Sequence, residues 1–433
     1  MSEPGLFDGV LAAGRVREVV SDAAWIQAML DFESSLAAAL ADVGLIDRAH
    51  ADHIAGHCRA EFYDPAELAR GSVGAGNPAA PLVRALSDRV GGGHVHQGAT
   101  SQDVLDTAAM IIAANSVDVM LADVRVAAEC AARLAEEHID TVQPGRTLLQ
   151  QALPVTFGAT AAGWLVGLVE AADRVAGLRP AVQLGGASGT LAALGDKGPE
   201  VVAALAHRLN LAEPVVPWHT MRFRVAEIAA ALGAMCGVLG TIARDITLLA
   251  QTEIGEVSEV GPTGTGSSST MPHKRNPIAA VATLGCATQA PGLVATLLQA
   301  GVQEHQRAAG AWHSEWRPLV DLLRTSGSAA YWLRTSLERL GVHPERMRAN
   351  LLGSGTLTER VTTELTPLVG RQQAHDAVTA CCAKAGDLVE ALAGDPVVGA
   401  HLSRERLREL LNPAEYLGSS REFVQRALRR ARQ

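Results

Sequence analysis

The stretch that most restricts the fold of this sequence lies between Gly98 and Gly145, where Pro144 is the only strong helix breaker. Alanine, valine, leucine, aspartate and glutamate dominate it, a composition that favours one very long helix. Because no alternation of strands and helices of the parallel-sheet kind is present, the pattern predicts an all-α fold. Pro291 is expected to kink one of the further helical tracts, which are predicted at about 222–257, 278–302 and 318–340.

Helices of this kind also bear on domains and assembly. A helix of roughly 35 residues that is apolar on several faces is difficult to bury within one chain, so we expect an oligomer built on a multi-chain helical bundle. Uncharged stretches at 152–169 and 228–243 are interpreted as buried core rather than membrane spans. The predicted domains are an N-terminal helical domain at 1–98, a central long-helix domain at 99–341 and a C-terminal helical domain at 342–433.

Charge, cysteines and glycines argue against several classes of function. The 433 residues carry a net charge of −9 and show no basic stripe for nucleic acid. Six cysteines without a CxxC pair, and an N-terminus without a signal-peptide pattern, predict a reduced, cytoplasmic protein. The glycine cluster at 183–190 does not match GxGxxG, which argues against a dinucleotide. His94 and His96 form an HxH pair without a third ligand at plausible spacing, so no metal or cofactor is predicted.

A polar loop is predicted between Gly266 and Pro277, where the sequence reads GSSSTMPHKRNP. Loops this rich in polar side chains commonly carry function. The pattern Ser-Ser-x-Met-Pro-x-Lys-x-Asn within it resembles the signature loop of the fumarase/aspartase superfamily, which includes fumarase, aspartase, argininosuccinate lyase, adenylosuccinate lyase and bacterial 3-carboxy-cis,cis-muconate cycloisomerase. Residues 96–108 and 145–154 resemble the two other shared stretches of the superfamily in order and spacing.

The resemblance implies a three-domain, all-α fold and a homotetramer whose sites combine stretches of different subunits. It also implies removal of a proton next to a carboxylate, followed by loss of a group from the adjacent carbon through an enediolate. The general base of the superfamily, the serine six residues before the lysine, is Ser268 here, with adjacent Ser267 as the other choice. Lys274 would stabilise the alkoxide of the base. The other predicted substrate contacts of the loop are Ser269, Met271 and Asn276.

The stretch at 96–108 lies where the long helix is predicted to begin. Thr100 and Ser101 offer hydroxyl donors beside free backbone N–H groups and the positive end of the helix dipole, which would hold a carboxylate. Gln102 belongs to the same predicted binding set, and an ordinary N-cap is the structural alternative. His96 stands where family members place a site histidine, so we predict that it contacts substrate. Whether it also transfers a proton is left open.

The stretch at 145–154 departs from many relatives, which carry histidine where this chain has Leu148. In those relatives the histidine helps to protonate a leaving amine or hydroxyl, which leucine cannot do. A leaving carboxylate needs no such acid, because the pKa of its conjugate acid is about 4. Leu148 therefore argues against fumarase and adenylosuccinate lyase and is compatible with the cycloisomerase branch. Thr147 and Gln150 flank this position and are predicted to bind substrate.

Three other segments resemble the cycloisomerase branch, namely Leu6–Gly9, Trp218–Thr220 and the run from Gln303 to His313. Cationic side chains such as those of Arg222, His305 and Arg307 could bind a polyanionic substrate. An equally good interpretation is that they belong to a buried structural network. The remaining predicted contacts are Arg222, His305, Arg307 and Gln251, the last in a helix that faces the loop in relatives.

The resemblance therefore favours a 3-carboxy-cis,cis-muconate cycloisomerase that acts on a small polycarboxylate, without nucleic-acid or membrane partners. A carbon–nitrogen lyase with a good leaving group, such as a nitrosuccinate lyase that releases nitrite, is the first alternative. Adenylosuccinate lyase is less well supported because it needs an acid at position 148. A non-catalytic structural protein of the same fold is a remote alternative, since Ser268, Lys274 and Asn276 are all present.

Overall fold

The computed structural model describes residues 5–261, 271, 274–351, 357–383 and 386–433. The first helices are α1 (Asp8–Leu11), α2 (Val16–Val19), α3 (Asp22–Asp42), α4 (Arg48–Gly56), α5 (Pro65–Ala75), α6 (Ala79–Val90), α7 (Ser101–Glu137), α8 (Phe157–Ala176), α9 (Gly198–Leu209) and α10 (Phe223–Leu249). They are followed by α11 (Ile278–Ala287), α12 (Ala290–Ala300), α13 (Ala311–Glu338), α14 (Pro344–Leu351), α15 (Thr358–Val369), α16 (Arg371–Cys382), α17 (Leu388–Ala393), α18 (Val398–His401), α19 (Arg404–Leu410) and α20 (Ser420–Ala431). The strands are β1 (Val142–Thr147), β2 (Gln150–Thr156), β3 (Val257–Glu259) and β4 (Leu340–Val342). The fold is all-α, as the sequence predicts.

The chain is grouped by its internal contacts into two compact units. Unit 1 consists of Met1–Arg125, Glu170–Thr241 and Ala282–Leu333, and unit 2 consists of Val126–Val169, Ile242–Val281 and Arg334–Gln433. Each unit is therefore assembled from three separate segments, and the boundaries fall inside α7, α8, α10, α11 and α13. The division into 1–98, 99–341 and 342–433 follows sequence order instead, and it stays a prediction.

The long helix α7 is confirmed, but it ends at Glu137 rather than near Pro144. The chain turns after it, where the Thr141 N–H donates to the His138 carbonyl at 3.0 Å, and β1 then begins. Residues before a proline are biased towards extended backbone, which favours this strand. Gly158 permits the turn to close, because a Cβ there would lie 2.7 Å from the carbonyl oxygens of Ala135 and His138.

The later helical tracts differ from the prediction at their ends. The tract at 278–302 is not one kinked helix but two helices, α11 and α12, and Pro291 lies in the first turn of α12. A proline fits there because its missing N–H would have no partner within the helix. α10 ends at Leu249, eight residues before the predicted end at 257, and α13 begins at Ala311 and contains Pro318.

Two small antiparallel sheets interrupt the helices. β1 and β2 form a hairpin in which Thr147 pairs with Gln150, and β3 pairs with β4. The apolar stretch 152–169, interpreted from sequence as helical core, is therefore strand up to Thr156 and helix only from Phe157. The stretch at 145–154 that resembles the superfamily is the hairpin itself.

Small and aliphatic side chains fill the interior, since only 3% of the residues are aromatic. α7 buries Val104, Ala108, Met110, Ile112 and Ala113 completely or almost completely. Three helical stretches are long and apolar enough to cross a membrane by length and composition alone, namely Ser101–Glu137, Phe223–Leu249 and Ile278–Ala300. Within the single chain 72%, 50% and 39% of their most apolar windows are buried. That they lie in a multi-chain bundle stays a prediction.

Candidate active site

The N-terminus of α7, in unit 1, is organised by one buried carboxylate. The Asp103 Oδ2 atom accepts a hydrogen bond from the Thr100 N–H at 3.0 Å, so Asp103 caps the helix from its third position. The first N–H groups of a helix lack partners within the helix. At this end the Asp103 N–H donates to the Thr100 carbonyl at 2.9 Å, and the N–H groups of Ser101 and Gln102 lie beside the hydroxyls of Thr100 and Ser101. An anion would be well held here.

Asp103 also fixes a second loop against this helix end. Its Oδ1 atom accepts from the Gly185 N–H at 3.1 Å and lies 2.6 Å from His219 Nε2, while Oδ2 accepts from the Gly186 N–H at 3.0 Å. The close approach requires glycine, because a Cβ on Gly185 would lie 2.5 Å from the ring of His219. The segment at 218–220, which resembles the cycloisomerase branch, thus has a structural role. Its His219 holds the Asp103 carboxylate at the start of α7.

His96 lies in the loop before α7 and is paired with a buried acid. Its Nδ1 atom lies 2.7 Å from Glu33 Oε1, and its φ of 59° places it in the left-handed region, which non-glycine residues adopt mainly at strained or functional positions. Burial alone would lower the pKa of His96, but the charge and hydrogen bond of Glu33, together with the charge of Asp103, raise it. The protonated form of His96 is therefore more stable than that of a free histidine, and an imidazolium suits contact with a carboxylate.

Arg222, predicted as a substrate contact, is instead held by two carboxylates inside unit 1. It donates to both oxygens of Asp106 at 2.7 and 2.9 Å and to Glu315 at 2.9 Å. It is only 5% exposed. Burial opposes its charge, but the charge of Asp106 and the bonds to both acids raise its pKa. The geometry supports the structural-network interpretation of Arg222 that the sequence left open.

Gln102 belongs to the same network. Its Nε2 donates to the His219 carbonyl at 2.8 Å and to Asp106 Oδ2 at 3.1 Å. The side chain is 2% exposed, while its Oε1 atom has no partner in the described part of the chain. Gln102 thus stabilises the start of α7 from the buried side. Thr100 and Ser101, at the same helix end, are partly exposed.

His305 and Arg307 occupy the segment that precedes α13. Arg307 donates to the Gly186 carbonyl and so contacts the glycine loop held by Asp103. Burial lowers the pKa of Arg307, and the charges of Asp103 and Asp106 partly oppose that shift. His305 is exposed, has a φ of 51°, and accepts at its carbonyl from Thr220 Oγ1 at 3.0 Å. Unit 1 therefore brings His96, Thr100, Ser101 and Arg307 around Asp103 and its glycine loop.

In unit 2, the β1–β2 hairpin presents its tip to the outside of the chain. Leu148 and Leu149 form the turn with φ values of 51° and 64°, and they are 96% and 72% exposed. Such a turn normally selects asparagine and glycine because both positions are left-handed. Thr147 and Gln150, the predicted contacts, flank the tip and are exposed. Two apolar side chains are thus held outward by a conformation that leucine rarely adopts.

The base of this hairpin is fixed by a buried acid. Arg146 donates to both oxygens of Glu256, at 3.0 Å from Nη1 and 2.5 Å from Nη2. Glu256 is fully buried and also accepts from Asn350 Nδ2 at 2.7 Å. The exposed tip is therefore carried on a firmly anchored stem.

Glu259 contacts the helix that follows the serine loop, which is the polar loop predicted at 266–277. Its carboxylate accepts from the Ala279 and Ala280 N–H groups at 3.0 and 2.8 Å and from Ser336 Oγ at 2.6 Å. Glu259 therefore caps α11 and lies beside the start of this helix.

The predicted loop residues lie partly outside the described residues. Ser268 and Ser269 belong to the undescribed part, whereas Lys274 and Met271 are exposed and Asn276 is half-buried. The Lys274 N–H donates to the Met271 carbonyl at 3.0 Å.

Gln251 was predicted to lie in a helix. It lies instead in the turn after α10. Its carbonyl accepts from the Ile254 and Gly255 N–H groups at 2.9 and 2.7 Å. Gly255, at a φ of 62°, closes this turn. The side chain of Gln251 is exposed and remains a predicted substrate contact.

Sequence reasoning missed Glu33, Asp103 and Glu315 as organising groups. Asp103 lies in the stretch at 96–108 that resembles the superfamily, and its spacing after Thr100 is that of a capping residue. Glu33 gave only a weak signal, a charged residue in the apolar sequence of α3. Nothing in sequence linked it to His96.

Replacing Glu33 with glutamine is expected to lower the pKa of His96, because the amide removes the charge that raises it. Since the folded pKa is raised, the pair stabilises the fold below the ordinary histidine pKa of about 6.5, and this contribution is lost as pH rises through the raised value. The ring-proton resonances of His96 should therefore titrate at lower pH in E33Q than in the wild type. E61Q, at an exposed glutamate, is the control and should leave His96 unchanged. An unaltered titration in E33Q would contradict the pairing.

Comparisons with known proteins identify the family of the chain. The sequence profile of a family described as Lyase matches residues 11–292, and that of the adenylosuccinate lyase C-terminus matches residues 356–427. A 3-carboxy-cis,cis-muconate cycloisomerase of Pseudomonas aeruginosa is 45% identical, with 98% of this chain and 95% of the relative covered. A nitrosuccinate lyase of Streptomyces davaonensis is 41% identical, with 98% and 94% covered.

The fold comparison covers the whole chain as well. The crystal structure of 3-carboxy-cis,cis-muconate lactonizing enzyme from Pseudomonas putida is 43% identical and matches with a TM-score of 0.93, and 99% of both chains is covered. The shared segments at 96–108, 145–154 and 266–277 have the order that the superfamily resemblance implies. From the family profile and from relatives that span nearly its full length, this chain is an enzyme that belongs to the lyase family of the fumarase/aspartase superfamily.

Proposed function

We propose that the chain is a 3-carboxy-cis,cis-muconate cycloisomerase, which interconverts that open-chain tricarboxylate and 4-carboxymuconolactone in aromatic-acid breakdown in the cytoplasm. Leu148, at the exposed tip of the anchored hairpin, is the observation that favours a reaction of this kind, and relatives named as cycloisomerases at 43% to 45% identity favour this reaction over other eliminations. A leucine at this position can neither give nor take a proton. It therefore favours a reaction whose leaving group departs without an acid.

The reaction balances without a cofactor. In the direction of lactone opening, the Ser268 alkoxide would remove the proton next to a carboxylate, and the electron pair would form the enediolate. That pair then forms the carbon–carbon double bond while the adjacent carbon–oxygen bond breaks, so that the ring oxygen leaves as a carboxylate. Lactonisation is the reverse, in which a carboxylate oxygen adds to the double bond and the neighbouring carbon takes a proton.

We assign the charges that this reaction needs to predicted site residues. An enediolate concentrates negative charge on carboxylate oxygens, and positioned donors or cations lower its energy. The α7 N-terminus with Thr100 and Ser101, the His96 imidazolium and the Lys274 ammonium are the groups that we assign to this stabilisation. In the proposed homotetramer, whose sites combine stretches of different subunits, a tricarboxylate substrate would use several of them at once.

A nitrosuccinate lyase is the second candidate, because nitrite also leaves without an acid and a relative of that name is 41% identical. In this reaction the same enediolate would expel nitrite and form fumarate. Leu148 is compatible with both reactions, so an activity assay must distinguish the two candidate substrates.

Purified protein should be assayed against carboxymuconate, nitrosuccinate and adenylosuccinate in parallel. We expect loss of muconate absorbance without formation of fumarate. Fumarate and nitrite from nitrosuccinate, with carboxymuconate untouched, would keep the mechanism and overturn the substrate. Efficient cleavage of adenylosuccinate would refute the leaving-group argument and direct attention to His96 as the acid.

We further propose that the active form is a homotetramer with shared sites. Only half or less of the apolar windows around α10 and α11–α12 is buried within one chain, and the hairpin tip exposes Leu148 and Leu149. Light scattering should therefore give about four times the mass of one chain. A stable and active monomer would contradict both the assembly and the shared site.

A further inference from the structure

Two segments of unit 2 carry predicted substrate contacts, and α14 is bonded to both of them. The β1–β2 hairpin carries Thr147 and Gln150 beside its tip, and the turn after α10 carries Gln251. α14 lies outside the three stretches that resemble the superfamily. Its residue Asn350 nevertheless forms hydrogen bonds to the hairpin and to the turn. Asn350 therefore connects two parts of the candidate site that are distant in sequence.

The side-chain amide of Asn350 has two N–H donors, and both are used. Its Nδ2 atom donates to the Ile254 carbonyl, in the turn, at 2.9 Å and to Glu256 Oε1 at 2.7 Å. Glu256 is the fully buried acid that accepts from Arg146 in β1. One side chain thus joins the backbone of the turn to the ion pair that fixes the hairpin.

The main chain of Asn350 holds the second strand of the hairpin. Its carbonyl accepts from Gln151 Nε2 at 3.1 Å, and Gln151 lies opposite Arg146 in the register of β1 and β2. The next pair towards the tip is Thr147 and Gln150. Asn350 therefore supports both strands one pair before the predicted substrate contacts.

Other bonds hold each segment separately. Arg346 donates to two carbonyls of the turn at 2.6 and 2.9 Å, and Arg146 keeps both its bonds to Glu256 whether or not Asn350 is present. Without Asn350, however, the Glu256 carboxylate would be tied to the turn through the rotatable bonds of its own side chain. The hairpin would then be free to shift relative to the turn while both stay folded.

We propose that Asn350 is a positioning residue, which fixes the hairpin tip and the turn relative to each other so that Thr147, Gln150 and Gln251 reach substrate. The inference rests on the proposed function, because the substrate contacts of these three residues belong to it. Asn350 acts through the two segments and does not itself touch substrate. Small displacements of contacting groups are costly in catalysis, which gives this support an effect on rate.

Hydrogen exchange of the full chain without substrate, followed by mass spectrometry, tests the positioning apart from any reaction. Asn350→Leu keeps a side chain of similar size without donors, and Asn350→Ala is the second variant. Peptides that cover 147–150 and 251–255 should both exchange about 10-fold faster, as expected for the loss of one or two hydrogen bonds. Asn412→Ala loses a local bond to the Ala414 N–H and is the control, which should leave both segments unchanged.

The exchange experiment decides the proposal in each outcome. Circular dichroism establishes which variants are folded. Unchanged exchange of either segment in a folded variant would overturn the proposal, because Asn350 would then not hold the two together. Failure of both variants to fold would overturn it as well, since Asn350 would be a residue of general stability.

Kinetics separates positioning from stability, on whichever assayed substrate the wild type turns over. Asn350→Leu should lower kcat/KM by about 10- to 100-fold. Gln150→Ala and Gln251→Ala should each cost much less in that variant than in the wild type, because a displaced side chain has little left to lose. Additive losses, or no loss from either glutamine in the wild type, would contradict the proposal. A wild type inactive on every assayed substrate would refute the proposed function, while the exchange result would still show whether Asn350 fixes the two segments.

Discussion

Ser268→Ala is expected to lower kcat by about three orders of magnitude while the fold and the substrate affinity stay largely unchanged. A base that acts only in proton transfer contributes to the transition state and little to binding of the ground state, so KM should change less than kcat. The measurement is the initial rate of muconate consumption at saturating substrate, with circular dichroism to verify the fold.

The control for this prediction is the neighbouring hydroxyl. Ser267→Ala should reduce kcat far less, because Ser268 is the serine six residues before Lys274. If Ser267→Ala lost activity and Ser268→Ala kept it, the base would be Ser267. If neither variant lost activity, the proposed proton transfer by this loop would be wrong.

Arg222→Met is expected to destabilise the chain by about 3–5 kcal/mol, because it leaves a buried carboxylate pair without its counter-ion. Asp106 and Glu315 are 3% and 2% exposed and both accept hydrogen bonds from Arg222. Burial raises the pKa of Glu315, and Arg222 opposes that shift. The loss of Arg222 should therefore favour the protonated form of Glu315. Urea unfolding at fixed protein concentration, followed by circular dichroism, measures the free energy of unfolding.

A surface ion pair gives the matched comparison for Arg222. Arg404 lies 3.1 Å from Glu390, with both side chains more than half exposed. Arg404→Met should therefore change the free energy of unfolding by less than about 1 kcal/mol. Similar effects of the two variants would show that the buried network contributes no more than a solvated pair.

The fold class and the identity of the loop could be predicted because both depend on local patterns. A breaker-free run predicts a long helix wherever it lies, and α7 was found. The serine loop could be recognised because its spacing of unlike residues is specific. Helix ends were less well predicted, since the turn at 138–141 and the break between α11 and α12 depend on packing rather than on Pro144 or Pro291 alone.

The partners within the candidate site could not be predicted, because they join residues far apart in the chain. Glu33 and His96 are 63 positions apart, and Arg222 lies 116 positions from Asp106. Leucine does not indicate left-handed backbone either. The sequence therefore contained no indication of the tight turn at Leu148 and Leu149. Position 148 was informative for chemistry only through the resemblance, and its exposure at a hairpin tip required the structure.

The three-segment construction of each unit has a consequence for synthesis of the chain. Unit 1 lacks its last segment until Leu333 has been made, and unit 2 lacks its own until the C-terminus. While the chain is still bound to the ribosome, the apolar faces of α7 and α10 are therefore present before the later segments of their units have been synthesised. Contacts between distant segments form slowly, and exposed apolar surface promotes aggregation during that time. Production of this protein should thus depend on chaperones that bind long, unpaired helices, and slower translation alone should not replace them.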